Sequence, residues 1–306
     1  MAIRFDDQVV IVTGSGNGLG KSHALEFARR GARVVVNDLG GSRDGSGSSS
    51  EAADAVVAEI EQAGGEAMSN GANVADFSQV EAMVGEASER WGRVDVLVNN
   101  AGILRDKTFV KMDLDDFKLV LDVHLIGSVN CTKAVWEMMR EQQYGRIVMT
   151  SSSSGIYGNF GQTNYGAAKM GVVGFMNSLA LEGQKYNIKV NSLAPIAATR
   201  MTEDLMPPNV LALLQPEAVT PAVVFMASEG APTRQIIAAG AGVFAKVVVQ
   251  ETPGVFLPTA SRDAEHVAAA WEQIADTDGQ TELSAGGDQT MKFLAKAASE
   301  LGIELT

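Results

Sequence analysis

Three polar residues in the middle of the chain have types and spacing suited to moving a proton. Tyr165 and Lys169 are four residues apart, so on a helix they share one face, one turn apart. A lysine ammonium beside a phenol stabilises the phenolate and lowers the pKa of the phenol. Such a phenol can take the proton from an alcohol or return it, and Ser152 can hydrogen-bond the reacting oxygen. The alternative is an ordinary surface Tyr–Lys pair beside a polar loop.

A glycine-rich turn near the start of the chain has the spacing of a dinucleotide-binding loop. Residues 13–20 read Thr-Gly-Ser-Gly-Asn-Gly-Leu-Gly, the pattern T-G-x-x-x-G-x-G, between a predicted strand and a predicted helix. Glycines let the backbone approach a pyrophosphate at the N-terminus of the helix, where free N–H groups favour anions. A glycine-rich turn without a ligand is the alternative. The predicted cofactor contacts in this turn are Gly14, Ser15, Asn17, Gly18, Leu19 and Gly20.

Polar and small residues also follow the next three predicted strands. Asp38 ends the second strand, where an acid can accept hydrogen bonds from the adenosine ribose and would repel a 2′-phosphate. Asp38 therefore favours NAD over NADP, although the guanidinium of Arg43 could still meet a phosphate. In an open α/β sheet, ligands lie outside the carboxyl ends of the strands. The predicted contacts after the third and fourth strands are Asn73, Val74, Asn100, Ala101 and Gly102.

The elements that must position these residues alternate between apolar runs of strand length and longer amphipathic stretches. Strands are predicted over 8–13, 33–38, 67–73, 94–99, 146–151 and 188–193. Helices are predicted over 19–30, 50–63, 78–91, 114–140 and 163–186. This alternation predicts an α/β fold with a doubly wound parallel sheet, because successive strand–helix–strand connections are right-handed.

Two stretches fall outside the alternation. The insert 39–50 is rich in glycine and serine, so we expect it to be mobile or ordered by a ligand or partner. After about residue 230 the sheet pattern weakens, leaving a short strand near 245–249 and helices near 263–274 and 288–301. We therefore expect one dinucleotide-binding domain over 1–245. A C-terminal helical extension over 246–306 is expected to lie on the core or on a neighbouring subunit.

Composition excludes several classes of protein. Of 306 residues, 46% are hydrophobic and 20% charged, so the chain can bury a large core. A net charge of −13 disfavours nucleic acid and anionic membranes, and no apolar run reaches the roughly 18 residues of a membrane span. One cysteine, Cys131, and three dispersed histidines predict no disulfide and no metal site. With an acidic start that leads straight into a strand, these features predict a cytoplasmic protein.

Together the motifs resemble the short-chain dehydrogenase/reductase family, over roughly residues 5–245. The resemblance is carried by T-G-x-x-x-G-x-G, then N-N-A-G, then a serine with Y-x-x-x-K thirteen residues on. It implies a Rossmann-type fold and an NAD-dependent oxidoreductase. It also carries the catalytic roles of the family onto Ser152, Tyr165 and Lys169, the last two also as cofactor contacts.

A subgroup of the family is still more similar. VVVNDLGGSRDGSGSSSEAADAVVAEI, NNAGILRD and YGRIVMTSSSSGIYGNFGQTNYGAAK resemble the (3R)-3-hydroxyacyl-CoA dehydrogenase modules of peroxisomal multifunctional enzymes. The resemblance implies a free-standing, bacterial relative of those modules that acts on acyl-CoA substrates. Because CoA is polyanionic, local cations must offset the negative charge of the chain. The candidates are Arg105, Lys107, Lys111 and Arg200.

The chain departs from the usual family pattern at two places. His124 stands in D-V-H-L where many members have a catalytic asparagine, so it either holds a water of the proton relay or simply packs. Pro195 and Ile196 replace the usual Pro-Gly of a cofactor-binding loop, and we keep both as expected contacts.

Two other functions remain open at this point. A steroid or other bulky hydrophobic alcohol would use the same catalytic residues, and the methionine-containing segment 201–214 could cover a wider pocket. A catalytically silent dinucleotide-binding protein is the alternative outside catalysis. The family resemblance also implies a homodimer or homotetramer formed through the two long helices.

Overall fold

Strands rich in valine and isoleucine form one sheet, because their continuous apolar runs require cover on both faces. The computed structural model describes residues 2–42, 44–197 and 207–305. In these residues the sheet has eight strands, in the order β3-β2-β1-β4-β5-β6-β7-β8. All neighbouring pairs from β3 to β7 are parallel, which confirms the predicted doubly wound parallel sheet. The strands are β1 (Val9–Thr13), β2 (Arg33–Asn37), β3 (Glu66–Asn70), β4 (Val96–Asn99), β5 (Gly145–Thr150), β6 (Ile188–Ile196), β7 (Ile236–Gly240) and β8 (Val243–Val247).

Helices cover the strands and follow the predicted positions closely over the first two thirds of the chain. They are α1 (Gly18–Arg29), α2 (Glu51–Gln62), α3 (Phe77–Trp91), α4 (Leu114–Leu121), α5 (Gly127–Gln142), α6 (Ser153–Tyr157), α7 (Thr163–Gly183), α8 (Pro208–Leu211), α9 (Thr220–Met226), α10 (Ala264–Ala269), α11 (Trp271–Ile274) and α12 (Gly286–Leu301). Arg43, Arg200 and residues 201–206 of the segment expected to cover the pocket lie outside the described residues.

Among the features of the fold that differ from the prediction are one helix and one strand. The single helix expected over 114–140 is interrupted by a π-helical turn, Asp122–Ile126, between α4 and α5. The strand β7 was not predicted, because its sequence Ile-Ile-Ala-Ala-Gly has little β-propensity after the first two residues. It forms a strand because it pairs with β6 over five positions, starting with Ser192 opposite Ile236.

The first helix is anchored to the core at both ends of its buried face. Phe27 packs edge-to-face against Phe5, with ring centroids 4.9 Å apart. Near the N-terminus of α1, Ser22 Oγ and His23 Nδ1 lie 2.7 Å and 2.8 Å from Thr220 Oγ1 of α9. Burial lowers the pKa of His23 to about 3, so this imidazole is neutral. These contacts fix the N-terminus of α1 at the carboxyl end of β1.

The chain divides into two compact units, Met1–Lys246 and Val247–Thr306, close to the expected boundary. The second unit contains α10, α11 and α12 and an antiparallel bridge between Glu251 and Thr281. Lys292 of α12 forms an ion pair with Glu251, 2.8 Å from Nζ to Oε1. None of the helices in the described ranges is long and apolar enough to cross a membrane.

Candidate active site

A cavity of about 280 Å³ lies at the carboxyl ends of the central strands. It is bounded by the glycine turn before α1, by the ends of β2 and β4, and by α7. Of the predicted cofactor contacts, those that line it are Gly14, Asn17, Gly18, Leu19, Gly20, Asp38, Asn73, Val74, Asn100, Ala101, Gly102, Tyr165, Lys169 and Pro195. Residues from distant parts of the sequence thus meet in one place.

Three of the predicted residues are not in the cavity lining. Ser15 is fully buried, and its hydroxyl donates to the carbonyl oxygen of Val12, 2.7 Å away. Ile196 is 47% exposed at the end of β6, outside the cavity. The side chain of Ser152 is buried beside Tyr165, and its hydroxyl caps α6 by accepting from the Ser154 N–H at 3.1 Å. The structure therefore gives the side chains of Ser15 and Ile196 no place against a ligand in this cavity.

The glycine turn is packed too tightly for side chains. A Cβ on Gly20 would lie 2.2 Å from the carbonyl oxygen of Gly14 and 2.6 Å from Asn100 Nδ2. A Cβ on Gly14, which has φ +61°, would lie 2.7 Å from Ala101 Cα. The amide of Asn100 donates to the carbonyl oxygens of Thr13 and Gly14, both at 2.9 Å. The N-N-A-G motif thus holds the glycine turn in shape.

The start of α1 is suited to an anion. This helix has twelve residues, and no acidic side chain occurs in its first turn. The first N–H groups of a helix have no partner within the helix, and the helix dipole makes this end partly positive. Because Gly18 and Gly20 have no side chains, the backbone can approach a diphosphate closely. The residues present therefore fit the pyrophosphate of a dinucleotide.

Asp38 joins the glycine turn to the insert that follows β2. One carboxylate oxygen accepts the N–H of Gly16 at 2.7 Å, and the other accepts the N–H of Gly40 at 2.7 Å. A carboxylate has about four acceptor sites, so both oxygens can accept further hydrogen bonds. Asp38 also lines the cavity. It can therefore accept ribose hydroxyls, and its charge disfavours a phosphate at this position.

At the other end of the cavity, Tyr165 and Lys169 lie one turn apart on α7, as predicted. The Lys169 Nζ is 5.5 Å from the centroid of the Tyr165 ring. Tyr165 packs on an apolar cluster formed by Ile103, Val120 and Ala168. Burial raises the pKa of Tyr165 to about 12, and the hydrogen bond with Ser152 opposes this rise. The groups of the protein itself thus raise the pKa of this phenol, opposite to the direction expected from the sequence.

Lys169, the second residue of the pair, is desolvated as well. Its Nζ is buried and donates to the carbonyl oxygen of Thr150 at 2.6 Å. Burial lowers the pKa of Lys169 from 10.5 to about 7, because the ammonium loses its hydration. A lysine that is largely neutral above pH 7 stabilises a phenolate less than a full ammonium would. The sequence predicted the spacing of Tyr165 and Lys169 but not the burial that removes water from Lys169.

His124 lies in the π-helical turn and faces Tyr165. The two rings meet edge-to-face, with centroids 5.1 Å apart and an interplanar angle of 87°. His124 Nε2 is 2.8 Å from the carbonyl oxygen of Ile103, and Nδ1 has no hydrogen-bond partner within the described residues. Burial keeps the pKa of His124 well below its ordinary value, with a smaller effect from Lys169, so the ring is neutral. A Cβ on Gly102 would lie 2.3 Å from His124 Cε1, so only glycine leaves room for this ring.

Some residues of the site had no signal in the sequence. Ile103 hydrogen-bonds His124 and lines the cavity through its position after β4. Thr150 lines the cavity next to Lys169, and its buried hydroxyl has no partner among the described residues. Neither residue type is distinctive: Thr150 ends β5, and Ile103 lies in the loop that follows β4. Only the sheet register and the π-helical turn bring them to the cavity, and neither can be read from spacing along the chain.

The cations proposed for CoA are partly compensated. Asp116 of α4 accepts from Arg105 Nη1 at 2.6 Å and from Lys107 Nζ at 2.9 Å. These two residues therefore do not form the uncompensated positive patch expected for a polyanion. Lys111 is exposed, in the short helical turn Phe109–Lys111.

Comparison with known proteins gives a consistent family. The family model for short chain dehydrogenase matches residues 8–209. A putative short-chain type dehydrogenase/reductase of Mycobacterium tuberculosis is 49% identical over 276 residues, which are 89% of this chain and 96% of that protein. The match therefore extends over nearly all of a free-standing relative.

Two solved structures extend the comparison. Full-length peroxisomal multifunctional enzyme type 2 from Drosophila melanogaster aligns with a TM-score of 0.81 and 37% identity. That match covers 97% of this chain, including most of the C-terminal extension, which the sequence motifs had left unmatched, and about half of the Drosophila chain (50%). A 7α-hydroxysteroid dehydrogenase complexed with NADH and 7-oxo glycochenodeoxycholic acid aligns with a TM-score of 0.71 and 29% identity, over 78% of this chain and 95% of that chain. On this evidence the chain is an oxidoreductase of the short-chain dehydrogenase family.

Proposed function

We propose that the chain interconverts a secondary alcohol and a ketone with NAD(H), and that its substrate is a (3R)-3-hydroxyacyl-CoA. The observation that carries the proposal is that the glycine turn, Asp38, Tyr165 and Lys169 line one and the same cavity. A proton-transfer pair and a dinucleotide cradle in one cavity are the two requirements of such a reaction. The specificity for NAD rests on Asp38.

The cofactor would be held by the chain in two ways. The glycine turn and the start of α1 would bind the diphosphate, and Asp38 would bind the adenosine ribose. Asn73 and Val74 line the same cavity near the end of β3, where they can contact the adenine. When bound, the nicotinamide supplies the acceptor or donor of a hydride.

Tyr165 is the proposed general base and acid. In oxidation the phenolate of Tyr165 takes the hydroxyl proton of the alcohol while hydride leaves the same carbon, and in reduction the phenol returns the proton. Ser152 hydrogen-bonds the reacting oxygen and stabilises its developing charge. Burial raises the pKa of Tyr165, and the positive charge that bound NAD⁺ would supply beside it would lower this pKa again. His124 Nδ1 is buried and has no hydrogen-bond partner among the residues that the structure describes, which supports a role in holding a water of the proton relay.

The acyl-CoA substrate is supported by the relatives. The Drosophila neighbour is named a peroxisomal multifunctional enzyme type 2, and the resemblance in the insert and the GIYGNFGQ segment points to the same subgroup. The steroid dehydrogenase neighbour supports the competing substrate, a bulky hydrophobic alcohol. The two hypotheses share the cofactor and the catalytic residues, so only a comparison of turnover on the two kinds of substrate distinguishes them.

The test is a stereochemical assay. The purified protein is incubated with NAD⁺ and with (3R)- and (3S)-3-hydroxyacyl-CoAs of several chain lengths, and NADH absorbance is followed. We expect turnover of the R series alone. If neither series is turned over, while NADH binds tightly and a hydroxysteroid is oxidised, the substrate is a bulky hydrophobic alcohol and not an acyl-CoA. NADH binding without turnover of any alcohol or ketone would indicate a silent dinucleotide-binding protein.

Two further properties belong to this proposal. A homo-oligomer formed through the two long helical stretches, α4 to α5 with its π-helical turn and α7, is supported by exposed apolar residues at Ile126 of that turn and at Met170 and Leu181 of α7. Light scattering with size exclusion would measure its mass. A cytoplasmic location is supported by the single cysteine, Cys131, which is buried and unpaired. Cell fractionation would test it, since the Drosophila relative is named peroxisomal.

A further inference from the structure

The insert between β2 and α2 is folded as a closed loop. Its two ends meet where the Ser49 N–H donates to the carbonyl oxygen of Leu39 at 3.0 Å. Its tip turns through the Ser42 N–H to Ser46 O bond at 2.7 Å and the Gly45 N–H to Ser42 O bond at 3.0 Å. A loop whose ends meet in this way presents its tip as one unit. The glycine- and serine-rich composition therefore produces a defined loop over the described residues 39–42 and 44–50.

The tip of this loop forms a wall of the cofactor cavity. Leu39, Gly41, Ser42 and Gly45 line the cavity together with Asp38. Gly45 lies directly against Ile103, since a Cβ there would be 3.2 Å from two carbon atoms of that side chain. The cavity is thus closed on this side by a loop that contains four glycines at its described positions: Gly40, Gly41, Gly45 and Gly47.

One side chain ties the loop tip to the rest of the molecule. The Nε of Arg105 donates to the carbonyl oxygen of Asp44 at 3.0 Å, and its Nη1 donates to Asp116 Oδ1 at 2.6 Å. The backbone of Arg105 is held too, because the amide of the buried Asn164 donates to its carbonyl oxygen at 3.0 Å. Arg105 therefore connects the loop to α4 and to the residue before Tyr165.

We propose that Arg105 is a positioning residue for the dinucleotide, which holds the insert loop as a preformed wall of the cavity. The proposal rests on the proposed dinucleotide binding and names a residue that determines its affinity. Glycine-rich segments lose much conformational entropy when they are ordered. A loop already tied in place loses less of it on binding, so the tie increases affinity without touching the reacting atoms. Arg105 itself is absent from the described cavity lining.

The neighbouring Lys107 provides a matched control. It is a cation of the same segment and binds the other oxygen of Asp116 at 2.9 Å. In the described structure its Nζ contacts Asp113 and Asp116 and no residue of the insert. Replacing Lys107 therefore removes the same unit of charge and a bond to the same carboxylate but leaves the loop tied.

The experiment compares NADH binding, by fluorescence titration, in wild type, Arg105→Ala, Arg105→Lys and Lys107→Ala. We expect Arg105→Ala to weaken NADH binding about tenfold, because one charge-assisted tie is lost. Arg105→Lys should recover part of the affinity, and Lys107→Ala should stay within about twofold of wild type. In kinetics the KM for NAD⁺ should rise in Arg105→Ala while kcat changes by about twofold at most, since no reacting group is altered.

Hydrogen exchange supplies a second readout that does not depend on turnover. Without cofactor, the amides of Ser42, Gly45 and Ser49 should exchange faster in Arg105→Ala than in wild type or Lys107→Ala. Equal NADH affinity and equal exchange in Arg105→Ala would overturn the positioning role and leave the proposed function standing. Equal losses in Arg105→Ala and Lys107→Ala would also overturn it, because charge rather than the tie would be responsible. A wild-type protein that binds no NADH would refute both proposals.

Discussion

The two ends of the cavity are built by different means. At the dinucleotide end the determining feature is missing side chains, since a Cβ at Gly14 or Gly20 would collide with backbone. At the reaction end the determining feature is buried polar side chains, with Tyr165 and Lys169 shifted in opposite directions in pKa. The first end binds by shape and by backbone N–H groups. The second end acts through buried side chains whose pKa values are shifted by the loss of hydration.

Because the two ends are built differently, different substitutions should impair each of them. A Cβ added at Gly14 or Gly20 harms the dinucleotide end, whatever the rest of the side chain, because it would collide with backbone atoms. At the reaction end, removing a single oxygen or nitrogen atom from a side chain is enough to lower turnover sharply, even when the shape and packing of that side chain are kept. Affinity and turnover should therefore respond separately to substitutions at the two ends.

The largest expected effect follows from Tyr165→Phe. This change removes the transferable proton and keeps the ring that packs on Ile103, Val120 and Ala168. We expect kcat to fall by about a thousandfold or more, in the range of lost acid–base catalysis. NADH affinity, measured by calorimetry, should stay within about twofold. A variant with kcat near wild type would contradict the assigned role of Tyr165.

A smaller loss, in affinity rather than turnover, is expected from Gly20→Ala. The new Cβ would lie 2.2 Å from Gly14 O, so the turn must open and NADH binding should weaken by about a hundredfold. Gly85→Ala is the control: Gly85 lies in α3, and a Cβ there meets no atom within 4 Å. The control should bind NADH normally and gain about 1 kcal/mol of stability from higher helix propensity. Equal binding by Gly20→Ala and the control would show that the glycine turn does not form the cradle.

In Asp38→Ala, the preference for NAD⁺ over NADP⁺, measured as a ratio of kcat/KM values, should change by about tenfold. The carboxylate that disfavours a 2′-phosphate is removed, and the hydrogen bonds to Gly16 and Gly40 are lost with it. We expect the ratio of kcat/KM for NAD⁺ to that for NADP⁺ to fall. Asp38→Asn serves as the companion variant, since it keeps an acceptor oxygen but no charge. An unchanged ratio in both variants would place the discrimination elsewhere.

The smallest expected effect is on stability and depends on pH. The pKa of Lys169 in the folded state, about 7, lies below its unfolded value of 10.5, so the unfolded chain binds more protons between these values. Burial of Lys169 therefore lowers the free energy of unfolding most below pH 7. This destabilisation disappears as the pH rises toward 10.5.

Lys169→Met should accordingly stabilise the fold by about 1 kcal/mol at pH 6 and by less at pH 10. Denaturant unfolding at the two pH values measures this difference. Lys118→Met, at an exposed lysine of α4, is the control and should show no such trend. A gain that is equal at both pH values would mean that Lys169 is not desolvated in the folded protein.

The two ends also differ in how far the sequence predicted them. The glycine turn, Asp38 and the Tyr165–Lys169 spacing are local patterns, and the structure brings all of them to one cavity. The π-helical turn that places His124 against Tyr165 was not predicted, because such a turn is defined by its backbone hydrogen bonds and not by a residue type. The direction of the Tyr165 pKa was wrong, because it depends on burial by Ile103 and Val120.

The outer parts of the fold show the same limit. The insert was expected to be mobile or ordered by a ligand or partner, and its described residues form a closed loop tied by Arg105 to Asp116. That tie joins residues far apart in sequence, so no local pattern contains it. Likewise β7 is a strand because of its pairing with β6 and not because of its own composition. Contacts between distant segments decide these features.

The most direct test of the proposed reaction follows an isotope. A (3R)-3-hydroxyacyl-CoA carrying deuterium at C3 is turned over with NAD⁺, and the reduced cofactor is analysed by mass spectrometry. The account predicts deuterium in the NADH of wild type and none from the (3S) substrate. With Tyr165→Phe, at equal cofactor binding, deuterated NADH should form at least about a thousandfold more slowly. NADH formed without deuterium, or equal transfer by Tyr165→Phe, would contradict hydride transfer coupled to proton transfer by Tyr165.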